Sequence, residues 1–103
     1  MRIATVTGVV TATVKDVQLV GHKLLVVEPY RLEPDGRQNL VTTGRTFIAV
    51  DTVGAGQGEM VLITQGSSAR LTPETKNLPV DTVIIGIVDQ VHVDKACVFD
   101  SQH

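Results

Sequence analysis

Thirty-six of the 103 residues branch at Cβ: 18 Val, 12 Thr and 6 Ile. Branching at Cβ costs χ1 freedom against the preceding turn of a helix, and it packs well on a pleated sheet. A chain with this excess is expected to be all-β. Its length bounds it to one domain, and 43% hydrophobic with 19% charged residues is a globular balance.

Composition also removes function classes. No apolar run approaches the roughly 18–20 residues of a membrane-spanning helix. Residues Met1 to Val6 lack the apolar core of a signal peptide, so the expected location is the cytoplasm. One cysteine cannot form an internal disulfide, and four zinc ligands are not in view. Net charge is −2 with no basic block, and aromatic residues are 3%, with no Trp. Neither a phosphate-neutralising surface nor a base-stacking platform can be built from that, so nucleic acid is not an expected partner.

Gly and Pro divide the chain into five apolar segments. Ile3–Val14 reads as a long strand, with Ala4, Val6, Gly8, Val10 and Ala12 on one face at period two. Lys23–Glu28 shows no alternation, which predicts a strand covered on both faces, stopped by Pro29. A polar stretch, Tyr30–Arg45, carries a turn signal at Pro34-Asp35-Gly36. Thr46–Val53 and Glu59–Thr64 are the third and fourth strands, separated by Gly54-Ala55-Gly56-Gln57-Gly58. The interval Ser67–Pro79 holds the one expected short helix, around Ser67–Arg70 or Pro73–Lys76. Thr82–Val93, with Gly86 inside it, is the fifth strand, and residues 94–103 read as a polar tail anchored by Val98-Phe99. The domain is thus expected to span residues 1–93. Five strands with glycines inside two of them suggest a small curved OB-like barrel, because closure removes exposed edges.

The candidate reactive groups do not assemble into catalytic chemistry. A phosphate loop needs a helix N-terminus behind its glycines, but Glu59-Met60-Val61-Leu62-Ile63 is strand-like and opens on an acid. Gly66-Ser67-Ser68-Ala69 lacks the second glycine of a nucleophile elbow. Cys97 lies five residues from His92, and a dyad needs convergence that this spacing does not establish. Asp51, Asp81 and Asp89 sit at the ends of apolar strands, where carboxylates rarely stay unpaired. A turn, cap or salt-bridge role, with Arg70 as a partner, fits them better than catalysis. No metal or cofactor site is expected.

Read in order, these segments resemble one family. They are Asp51-Thr52-Val53-Gly54-Ala55-Gly56-Gln57-Gly58-Glu59-Met60-Val61-Leu62-Ile63, Gly66-Ser67-Ser68-Ala69-Arg70, Pro79-Val80-Asp81, and Val83-Ile84-Ile85-Gly86-Ile87-Val88-Asp89. Ala4-x-Val6-x-Gly8-x-Val10 and Gly21-x-Lys23-Leu24-Leu25-Val26-Val27 agree as well. The set is similar to the EutN/CcmL vertex proteins of bacterial microcompartment shells, from about Arg2 to Val93.

The resemblance implies a structural, non-enzymatic role without cofactors. It implies an OB-like barrel assembling as a cyclic homopentamer at the fivefold vertices of a cytoplasmic shell, beside hexameric and trimeric facet proteins. It places Gly54, Ala55, Gly56, Gly58, Glu59, Gly66, Ser67, Ser68 and Arg70 at the subunit interface or pore, with Asp51 and Asp81 making polar loop contacts. The loop wording leans toward a catabolic metabolosome rather than a carboxysome. The segment Pro29–Arg45 is longer than the usual turn of the family and is expected to project. The competing readings are an OB-type binding module for single-stranded nucleic acid or sugar, which fold analogy alone supports, and a small enzyme using Cys97 and a His.

Overall fold

A computed structural model describes residues 1–13, 21–33, 36–66 and 81–101. Eight strands are present: β1 (Arg2–Val10), β2 (Lys23–Glu33), β3 (Gly36–Thr42), β4 (Phe47–Asp51), β5 (Met60–Gln65), β6 (Thr82–Ile87), β7 (Gln90–Val93) and β8 (Ala96–Asp100). Among the described residues there is no α-helix. The expected helix at Ser67–Arg70 or Pro73–Lys76, and Pro34 and Asp35 of the expected turn, lie outside the described residues.

The sheet runs β1-β5-β6-β4-β2, and β1 pairs again with β2, so five strands close on themselves. Four of the five contacts are antiparallel; β4 and β6 are parallel. This is the expected small barrel. Its interior is aliphatic: Ala4, Val6, Leu25, Val27, Ala49, Val61, Ile63 and Ile84 are all at most 1% exposed. Each large aliphatic side chain in that set contributes about 1.5–3 kcal/mol by leaving water. The near absence of aromatics fits a lumen this narrow, which Val and Ile fill.

Four expectations need correction. First, β2 does not stop at Pro29 but continues to Glu33, with Pro29 itself buried. Pro lacks an N–H, so within a sheet it fits only where no donor is needed. Pro29 is such a place: β2 pairs with β1 up to Ala4↔Pro29 and with β3 from Tyr30↔Thr42 onward. The stretch after Pro29 is therefore a β2–β3 hairpin. Second, β2 does alternate. Leu25, Val27 and Pro29 point inward, while Leu24, Val26 and Glu28 are half-buried.

Third, β1 does not keep one face throughout. A bulge between Val6 and Gly8 shifts the register, so Val6 opposes inward Val27 but Gly8 opposes outward Val26. One extra residue flips every side chain beyond it. Gly8 and Val10 thus leave the face that Ala4 and Val6 share. Fourth, the fifth segment is two strands. β6 ends at Ile87, and Gln90–Val93 pairs with Ala96–Asp100 as a separate β7–β8 hairpin. The boundary expected after Val93 falls at this hairpin's turn, where Asp94 and Lys95 have φ of 51° and 68°.

Candidate functional site

The glycine-rich connection between β4 and β5 folds back onto the barrel. Ala55 is fully buried and belongs to the core cluster with Ala4, Val6 and Leu25. A residue packed inside its own barrel cannot also make a subunit contact, so Ala55 leaves the expected interface set. A methyl group fits where a larger side chain would displace the core walls.

Asp51 sets the start of this connection. Its side chain is 1% exposed, and Oδ1 accepts from the backbone N–H groups of Val53 at 3.0 Å and Gly54 at 3.1 Å. This local side-chain-to-backbone pattern turns the chain sharply. Gly54 follows with φ of 81°, a conformation in which a Cβ is strained. The ammonium of Lys23 donates to the Ala55 carbonyl and lies 3.9 Å from Asp51 Oδ2. Lys23 is nearly half exposed, so solvent screens that ion pair. The two backbone donors are the main partners of the Asp51 carboxylate.

Glu59 sets the end. Its Oε1 accepts the Gly56 N–H at 2.6 Å, and a Cβ on Gly56 would lie 3.4 Å from the same oxygen. The Gly58 N–H donates to the Val6 carbonyl at 2.8 Å, and the Val6 N–H donates to the Glu59 carbonyl at 2.9 Å. Gln57 Nε2 donates to the Thr7 carbonyl, and Thr52 Oγ1 donates to the Ile84 carbonyl at 2.7 Å. The loop is therefore a plug tied to β1, β2 and β6. Lys23, Thr52 and Gln57 were not singled out in the sequence, because their partners lie 32 to 50 residues away.

Gly66 follows β5 with φ of 68°, and its N–H donates to the Asp81 carbonyl at 2.8 Å. That bond joins the two ends of the interval between β5 and β6. Ser67, Ser68 and Arg70 lie outside the described residues.

The geometry supplies little chemistry. Register places His92 opposite Cys97 on the β7–β8 hairpin, both exposed. The thiol, however, donates to the Phe99 carbonyl at 3.2 Å. Among the described residues no cluster of His, Cys, Asp and Glu could hold a metal ion. A cleft of about 310 Å³ separates the plug's end from the hairpin, lined by residues such as Glu59, Ile87, Asp89 and Phe99. The Glu59 carboxylate in it already serves Gly56. No helix among the described residues is long and apolar enough to cross a membrane.

Known proteins give the arrangement its context. A family model described as ethanolamine utilisation protein EutN/carboxysome matches residues 1–89. The shell vertex protein EutN of Escherichia coli is 43% identical over 91 residues, covering 88% of this chain and 90% of that protein. The solved structure of CcmL from Gloeobacter violaceus superposes with a TM-score of 0.83 at 34% identity, covering all of both chains. GrpN, a pentameric microcompartment shell protein from Rhodospirillum rubrum, gives a TM-score of 0.72 at 41% identity, covering 90% of this chain and 99% of that one.

Proposed function

The chain belongs to the EutN/CcmL family, and from that premise we propose that five copies close into a ring capping a fivefold vertex of a bacterial microcompartment shell. The observation that carries this reading is the likeness to GrpN, a pentamer, over nine-tenths of the chain. A barrel with a filled lumen and a plugged connection suits a wall block: its chemistry lies in the surfaces it presents. Identical copies close a ring when each presents two different complementary surfaces and the rotation between neighbours returns to its start.

In this reading the protein is not an enzyme. Its partners are further copies of itself and the hexameric and trimeric facet proteins, in the shell within the cytoplasm. The wording of Gly54–Glu59 and Gly66–Arg70 favours a catabolic compartment. Gly54, Gly56, Gly58, Glu59, Gly66, Ser67, Ser68 and Arg70 stand near the subunit contacts or pore, with Asp51 and Asp81 holding the adjoining backbone.

Native mass spectrometry of the purified protein tests the reading. A closed ring of five 11.0 kDa chains weighs about 55 kDa. A stable monomer at high micromolar concentration would remove the vertex function and leave only the barrel.

A further inference from the structure

Two rows of outward side chains on the barrel wall contain no charged residue. Residues directly opposed in an antiparallel ladder share a face of the sheet. Gly8 opposes Val26, and Val26 opposes Ile48, which makes one row across β1, β2 and β4. Ile3 opposes Leu62, and Leu62 opposes Gly86, which makes a second row across β1, β5 and β6. The rows lie on the two sides of β1 in the barrel order. Ile48 is 54% exposed, and Ile3, Val26 and Leu62 are each half-buried.

Each row ends in a glycine that its backbone φ does not require. Neither Gly8 nor Gly86 has a positive φ, so no left-handed backbone demands glycine there. A Cβ on Gly8 would meet Val26 Cβ at 3.7 Å, and one on Gly86 would meet Leu62 Cβ at 3.8 Å; both are ordinary contacts. Register shifts lie close to both, but the bulge type that selects glycine needs it at positive φ. Glycine inside a strand lowers stability, and it marks a bulge, a tight bend at a barrel corner or a place where another backbone comes close.

We infer that these rows are the two halves of the ring contact: the Gly8–Val26–Ile48 row of one copy packs on the Ile3–Leu62–Gly86 row of the next. The inference rests on the ring reading above and adds the surfaces that make it. A second copy is the occupant because a heterologous ring needs two unlike patches per chain, and these two match. Each has a glycine gap at one end and an isoleucine at the other. Laid head to tail, Ile48 enters the gap at Gly86, and Ile3 enters the gap at Gly8. A facet protein reading charge would find none in either row.

The test uses Ile48→Glu and Leu62→Glu, each followed by native mass spectrometry, with circular dichroism to verify the fold. The wild type is expected as a pentamer and each variant as a monomer with an unchanged β spectrum. An equimolar mixture of the two at high micromolar concentration retains one intact contact per pair and is expected to give 1:1 dimers without rings. If a Glu variant does not fold, Gly8→Ala and Gly86→Ala replace the pair, since the chain's own contacts accept a Cβ at both sites. A pentameric wild type with pentameric variants would overturn the inference and leave the ring standing. A mixture that stays monomeric would overturn the pairing of the rows. A monomeric wild type would instead defeat the ring reading itself.

Discussion

The β4–β5 connection and the β7–β8 hairpin carry comparable lengths of chain, yet they are held in opposite ways. The connection is fixed by distant partners: Lys23, Val6, Thr7 and Ile84 all reach it from other strands. The hairpin is fixed chiefly by its own two strands, with the Ser101 N–H donating to the Asp89 carbonyl and β3 lying alongside β8. A segment that fills the core inherits the cooperativity of the whole barrel, whereas a hairpin outside it can open alone. The comparison therefore separates residues whose loss unfolds the molecule from residues whose loss is felt locally.

Substitutions at three positions press on that difference. Ala55→Asp places an unpaired carboxylate in the core and is expected to cost more than about 3 kcal/mol, read as a lower urea midpoint. A barrel that tolerated it would show that the plug can swing out. Asp51→Ala removes the acceptor for two backbone donors and is expected to cost about 2 kcal/mol, whereas Asp51→Asn keeps one acceptor oxygen and is expected to lose less. Equal losses for both would shift the weight from the N–H groups to the Lys23 ion pair. Lys95→Gly relieves a side chain held at φ of 68° and is expected to stabilise the hairpin by about 0.5–1 kcal/mol. Hydrogen exchange should slow at β7 and β8 while the barrel amides keep their rates. A rise in barrel protection would couple the two regions. All four variants are compared at one protein concentration, since assembly would contribute to apparent stability.

The barrel was legible because burial leaves a period-two record in the sequence. Ala4 and Val6 carry it in β1, whereas in β2 the equally apolar Leu24 and Val26 hide the alternation of Leu25 and Val27. What escaped lies where geometry breaks the period. The bulge before Gly8 leaves no mark in composition, yet it reverses the faces of the residues after it. Pro29 looks like a terminator in one dimension, and only the change of partner from β1 to β3 explains why a missing N–H is harmless there. The β7–β8 turn is built from Asp94 and Lys95, not from the glycine that usually announces a tight hairpin turn. For the connection, the glycines were visible, but their reason was not: Ala55 in the core and Asp51 under the backbone depend on strands far away in sequence.

The double use of β1 has a consequence for how the molecule is made. β1 pairs with β2 and also, through Arg2 to Thr5, with β5. Translation delivers β1 first and Met60 to Ile63 about 60 residues later, a lag of roughly 3–12 s at 5–20 residues per second. During that interval the nascent chain can form the β1–β2 pair, but one edge of β1 stays unpaired. An open edge is a template for another chain. On a polysome making many copies side by side, the late arrival of β5 sets how long each newborn subunit is exposed to mispairing with its siblings.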